Sequence, residues 1–168
     1  MKIIKKVLKI TLYVLLVGLI IAQFFRPEKN IATTPSDMGI AKAFPMPPEV
    51  ETMLRTSCYD CHSNTTNYPW YAQVQPVGWW LADHIKDAKN EVNFDEFASY
   101  RLRRQYRKFH EIEEQLTKDE MPLSSYTLIH RNAILSPDQK TMLISWSRAM
   151  MDSLKAKYPI DSLERKQK

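Results

Sequence analysis

The stretch Thr56–Asn64, "TSCYDCHSN", contains both cysteines of this 168-residue chain, and a histidine follows the second cysteine directly. Cys58 and Cys61 are separated by two residues, and His62 comes next. This Cys-x-x-Cys-His spacing allows two thiols to form thioethers with the vinyl groups of one haem, and it places the histidine beside the iron. The motif therefore predicts a haem site.

The residues before the motif predict a short amphipathic helix. Val50, Met53, Leu54 and Cys58 recur at helical spacing, which puts them on one face. We therefore expect the first cysteine of the motif to face the core.

Three more apolar stripes with the helical period follow the motif. They comprise Val77, Trp80, Leu81, His84, Ile85 and Ala88, then Leu102, Tyr106, Phe109, Ile112 and Leu116, and finally Leu143, Ile144, Trp146, Ala149 and Met150. Ser136 followed by Pro137 is typical of a helix start. No window shows the alternation of a strand, so we predict an all-α domain.

The N-terminal residues 1–26 predict a transmembrane anchor. Four lysines precede an uncharged apolar run over residues 10–25, which has about the length of one bilayer crossing. The lysines favour an N-terminus inside the cell. We therefore predict a single-pass protein of the bacterial inner membrane with its C-terminal domain in the periplasm. A cleaved signal peptide is the competing interpretation.

Composition divides the rest of the chain into three parts. Residues 27–47 mix proline, polar and small side chains and predict a flexible tether. Residues 48–152 form the predicted haem-binding domain, and residues 153–168 a polar tail. The net charge of +5 comes from the first 30 residues, while acidic and basic side chains balance beyond them, so we predict no nucleic-acid partner.

Zinc and a disulfide are the alternatives to haem at the motif. A structural zinc site takes four protein ligands, so the motif would need a fourth ligand from His84, His110 or His130. None of these belongs to a second compact pair. A dithiol oxidoreductase would need a strand before the motif, and the sequence predicts none. A plain structural disulfide has no further support.

The second axial position of the iron has several candidate ligands. Met121 precedes Pro122 in the connection before the last helical region, and a thioether there would favour reduced iron. An ordinary packing methionine is the competing interpretation. His84 and His130 are alternative ligands or partners of a carbonyl or a haem propionate, whereas His110 lies on a charged helical face and is expected to be solvated.

Two further groups of side chains could contact a haem. The first group could pair with propionates or form a solvated face, and consists of Arg101, Arg103, Arg104 and Arg107. The second group could wall a porphyrin or form ordinary core, and consists of Tyr59, Trp70, Tyr71, Trp79 and Trp80.

The order of these features resembles that of a known family. A helix, "CYDCH", intervening helices, "MP" and "LSPDQKTMLISW" resemble class I c-type cytochromes, in which the methionine precedes a C-terminal helix that packs on the N-terminal one. "SCYDCHSNTTNYPWY", "HI" and "EMPLSSYTLIH" are similar to small bacterial membrane-anchored haem-binding-domain proteins with one such motif. The resemblance covers roughly residues 1–150. It implies covalent haem c on Cys58 and Cys61, with His62 as the proximal iron ligand, and it supports Met121 as the distal one.

We therefore predict one haem c per chain and a protein that passes single electrons to transient redox partners. Such a carrier is favoured over an enzyme. A haem enzyme or gas or redox sensor with an open distal site, and a haem-bearing structural subunit of a membrane complex, are the alternative functions.

Overall fold

The structure, a computed structural model, describes residues 2–164 and is built from helices. The α-helices are α1 (Lys2–Ala22), α2 (Ile40–Ala43), α3 (Pro48–Ser57), α4 (Tyr59–His62), α5 (Val77–Glu91), α6 (Leu102–Thr117), α7 (Ser124–Thr127), α8 (Pro137–Lys157) and α9 (Ile160–Leu163). Short 3-10 helices occupy Trp70–Gln73, Phe94–Ser99 and Arg131–Ala133. Residues 2–164 contain no strand beyond an isolated bridge. The predicted all-α class is confirmed.

The core lies chiefly between α6 and α8, and α3 also contacts α8. Its centre is a group of aromatic rings around Phe109. The ring centroid of Phe109 is 4.8 Å from that of Phe44 and 5.0 Å from that of Phe97. Trp146 of α8 meets the same ring edge to face at 5.5 Å. The apolar stripes predicted for α6 and α8 supply this core.

The start of α8 is fixed by a capping box. Ser136 Oγ accepts a hydrogen bond from the Gln139 amide at 3.2 Å, and Gln139 Oε1 accepts from the Ser136 amide at 2.8 Å. Pro137 occupies the first turn, where its missing N–H costs nothing. The predicted helix start is confirmed.

The C-terminal part of the chain is packed further than the composition indicates. Helix α8 continues to Lys157, and α9 adds Leu163, which is buried. The predicted polar tail began at residue 153, so its first part belongs to the helical domain. Residues 165–168 of that predicted tail lie outside the described residues.

The N-terminal helix α1 differs from the predicted membrane anchor. None of the helices within residues 2–164 combines the length and the apolar character that a membrane crossing requires. Helix α1 ends at Ala22 and includes all four lysines, so its uncharged part, residues 10–22, spans about 20 Å at about 1.5 Å per residue. The hydrocarbon core of a bilayer is about 30 Å thick. The predicted transmembrane helix, the membrane as a partner and the single-pass inner-membrane location with a periplasmic domain are therefore wrong.

The segment predicted as a flexible tether makes specific contacts with the domain. Ile40 and Phe44 are buried in the core. Asn30 is held against the domain by two hydrogen bonds. Its amide donates to Tyr68 Oη at 2.8 Å, and its Nδ2 donates to the Ser63 carbonyl at 3.0 Å. The structured domain thus begins before residue 48.

Candidate functional site

A cavity of about 720 Å³ lies beside the cysteine motif. This volume is within the range of small-molecule pockets, about 300–1,000 Å³. The cavity is bounded by α4, the end of α5, one face of α6 and the connection that follows α6. Its apolar wall includes Leu54, Val92, Phe94, Ile112, Leu116 and Leu143, and the predicted site residues that line it are Cys58, Cys61, His62, His84 and Met121.

Two short helical segments present the motif to this cavity. Helix α3 ends at Ser57, and the Cys58 amide donates to the Leu54 carbonyl at 2.9 Å. Helix α4 then begins, because the Cys58 carbonyl accepts from the amides of Cys61 and His62 at 3.2 and 3.0 Å. The break at Cys58 therefore places both thiols and the imidazole on adjoining turns.

The imidazole of His62 is oriented by two carbonyl groups of α5 and its C-terminal end. Nδ1 lies 3.0 Å from the Ala88 oxygen and 3.0 Å from the Val92 oxygen. Both partners can only accept, so Nδ1 carries the proton and Nε2 keeps a free lone pair. Burial lowers the pKa of His62, opposed by the two hydrogen bonds. A neutral imidazole held through its other nitrogen is the usual arrangement of a metal ligand.

The two cysteines are free thiols and half-buried. Burial, helped by Cys61, raises the pKa of Cys58 to about 12, and burial with a smaller effect of Asp60 raises the pKa of Cys61 to about 11. Both thiols are therefore protonated at neutral pH, whereas the reactive cysteine of a dithiol oxidoreductase is a thiolate. Within residues 2–164, the His, Cys, Asp and Glu side chains form no group of three or more that could hold a metal ion.

Met121 lies in the connection between α6 and α7 and is half-buried at the cavity. The Met121 amide donates to the Gln115 carbonyl at 3.4 Å, which ties the connection to the end of α6. Tyr126 of α7 ties it to the motif, since its hydroxyl donates to Asp60 Oδ2 at 2.7 Å. Burial and this hydrogen bond raise the pKa of Tyr126, so the hydroxyl remains a donor.

The other histidines are in different environments. His84 lines the cavity, and its Nδ1 lies 2.9 Å from the Trp80 carbonyl of the preceding turn, so its Nε2 also keeps a free lone pair. His130 does not line the cavity, and its Nε2 is 2.7 Å from Tyr71 Oη. His110 is exposed. The structure therefore brings His84, but not His130, to the site.

None of the four arginines singled out in the sequence lines the cavity. Arg104, for example, lies over the ring of Tyr100, with 4.0 Å from Cζ to the centroid. The cation in the cavity wall is Lys108, which the sequence analysis missed. The sequence did contain a signal for this burial. Lys108 lies directly before Phe109 and four residues before Ile112, at the border of the apolar stripe of α6.

The aromatic side chains of the cavity also differ from those expected. Phe94 and Tyr126 line it, and the five aromatic residues considered above do not. Tyr59 instead stacks on Phe94, with ring centroids 5.3 Å apart and planes 15° from parallel. Trp70 is largely exposed. Tyr59 thus supports the cavity wall from behind.

A family model identifies the family of this chain. The sequence model of a family described as a haem-binding domain matches residues 17–149, which is more than half of the chain. The chain belongs to the haem-binding domain family. As a haem-binding domain it binds haem, and the matched range includes the motif, His84, Lys108 and Met121.

More distant comparisons add little about function. This haem-binding domain is 25% identical over 87 residues to "Uncharacterized protein C1039.02" of Schizosaccharomyces pombe (strain 972 / ATCC 24843), an alignment that covers 44% of this chain and 14% of that protein. The chain thus spans about a seventh of the length of this relative. No solved structure matches the chain.

The residues present fit a haem. The cavity offers a free imidazole Nε2, two protonated thiols on adjoining turns and an apolar wall. The thiols and the imidazole do not converge on one point. A haem requires such separation, because its vinyl groups lie at the edge of the ring and its iron at the centre.

Proposed function

We propose that this haem-binding domain carries one haem c, with thioether bonds to Cys58 and Cys61 and with His62 and Met121 as the axial ligands, and that it transfers single electrons. The observation that supports the proposal is a single cavity lined by both thiols, the oriented imidazole and the distant methionine. Met121 is the candidate distal ligand that brings a thioether sulfur to this cavity.

The attachment chemistry uses the thiols as they stand in the fold. Cys58 and Cys61 would hold the haem by adding across its two vinyl double bonds, so that each Sγ would bond one vinyl carbon and each thiol hydrogen would go to the other. Nothing leaves, and no oxidant is consumed. Burial keeps Cys58 and Cys61 protonated, so each side chain supplies both the sulfur and the hydrogen.

The axial residues then determine what the site can do. A bound haem supplies an iron that changes between the ferric and ferrous states by one electron. A histidine and a thioether are the axial pair of electron-transfer cytochromes, and the thioether raises the potential. With both positions filled by protein, the site needs no substrate pocket and only brief contacts with redox partners.

Mass spectrometry after denaturation tests covalent attachment. The full chain is expressed with a cytochrome c maturation system, denatured and weighed. We expect one haem to stay on the wild-type chain, and none on a Cys58→Ala/Cys61→Ala double variant. The control is the wild type expressed without the maturation system. A wild-type chain that loses all of its haem on denaturation contradicts the proposal.

A second candidate function is a haem enzyme or gas sensor with an open distal position. The observation that favours it is His84, which lines the cavity with a free Nε2 and is able to accept a proton there. Rapid binding of CO by the reduced wild-type protein, or of cyanide by the oxidised one, supports this function and counts against a site closed by Met121.

A further inference from the structure

The cavity wall contains a buried charge that the proposed ligand set does not use. The Lys108 side chain is only 4% exposed. Its Nζ lies 2.9 Å from Glu91 Oε2 and also contacts Glu111 of its own helix. A buried ammonium is costly unless it is paired, and this pairing ties α6 to the last residue of α5.

The same end of α5 holds the proximal histidine. Glu91 directly precedes Val92, whose carbonyl accepts the hydrogen bond from His62 Nδ1. Lys108, Glu91 and His62 all line the same cavity. A haem bound by His62 in this cavity would therefore lie close to both charges.

We propose that Lys108 raises the reduction potential of the bound haem through its buried charge, and that Glu91 limits this rise. Ferric iron carries one more positive charge than ferrous iron, so a nearby ammonium disfavours oxidation. The interaction is stronger in a protein interior than in water, and burial of the haem is one of the means by which a protein sets its potential. The inference rests on haem bound at His62, which is part of the proposed function, but not on the thioethers or on Met121.

Spectroelectrochemical titration of the full-length, haem-loaded protein tests the role of Lys108. We expect Lys108→Met, which keeps the length of the side chain without the charge, to have a lower reduction potential than the wild type. The matched control is Lys118→Met, because Lys118 follows α6, is exposed and pairs with Glu114. We expect the control to keep the wild-type potential. Equal potentials of Lys108→Met and wild type would overturn the proposal.

Glu91→Gln provides an independent test with the opposite sign. The Glu91 side chain is 76% exposed, so this variant is expected to fold even if Lys108→Met does not. The glutamine oxygen still accepts the hydrogen bond from Lys108, whereas the negative charge is gone. We expect a higher potential than that of the wild type. An unchanged or lower potential would show that the pair does not act on the haem through its charge.

The two proposals fail separately. Haem that washes off the denatured chain contradicts covalent attachment, while the potentials of the folded samples still measure the effect of Lys108. In the converse case, the haem proves covalent while all variants have the same reduction potential. That result leaves the proposed function intact and shows that Lys108 does not set the potential.

Discussion

Of the distal iron ligands considered in the sequence, Met121 and His84 line the cavity. They differ in how they are held. His84 is fixed through its Nδ1 to the carbonyl of Trp80 in its own helix. Met121 lies in a connection tied at both ends to the walls of the cavity, by Gln115 and by Tyr126. A long, unbranched thioether adapts to the space above a porphyrin more readily than a ring fixed on a helix.

We predict that Met121→Ala abolishes the thioether-to-iron charge-transfer absorption of the oxidised protein and opens the iron to CO in the reduced state. The reason is the loss of the distal sulfur. His84→Ala should keep the charge-transfer band. Met142→Ala is the control, since Met142 is exposed. Absence of the band from the wild-type protein, with CO binding opened by His84→Ala and not by Met121→Ala, would exchange the roles of the two residues.

Among the elements, α8 depends on its N-terminal cap. We predict that Ser136→Ala lowers the free energy of unfolding by about 1 kcal/mol, because the Gln139 amide loses the acceptor Ser136 Oγ. Chemical denaturation followed by circular dichroism measures this difference. Ser125→Ala, at an exposed position of the short helix α7, serves as the control and should change stability little. A Ser136→Ala variant as stable as the wild type contradicts the role of the capping box.

The connection between α6 and α8 is tied to the motif through α7. We predict that Tyr126→Phe lowers the free energy of unfolding by about 1 kcal/mol and speeds amide hydrogen exchange in residues 118–130, because the hydrogen bond to Asp60 is lost. Tyr158→Phe, at an exposed ring, is the matched control. Unchanged exchange in Tyr126→Phe would mean that packing alone holds the connection.

At the scale of the whole molecule, the segment before α3 belongs to the core. We predict that Phe44→Ala lowers the free energy of unfolding by about 3–5 kcal/mol, because Phe44 is buried against Phe97 and Phe109. Phe24→Ala makes the same change at a position that is 81% exposed, and should have little effect. Similar stabilities of the two variants would restore the interpretation of residues 27–47 as a tether.

The sequence predicts the helices well where the pattern is local. The stripes of α6 and α8 have a regular period, and the Ser136–Pro137 pair marks a helix start, so both follow from neighbouring residues. The same kind of reasoning gave a wrong transmembrane helix for the N-terminal apolar run, because hydropathy does not show where a helix ends. Helix α1 stops at Ala22 and includes its lysines, and the remaining apolar part is too short to cross a bilayer.

The sequence by itself determined the all-α class and the motif of Cys58, Cys61 and His62, because both depend on spacing along the chain. Only the tertiary structure decided which distant side chains share the cavity. Met121 and His84 lie there, and His130 does not. It also placed Lys108 inside the wall, although Arg107 directly before it is exposed. The physical reason is that side chains of α4, α5 and α6 together line the cavity. Long-range contacts fix the rotation of each helix about its axis, and this rotation selects the residues that face inward.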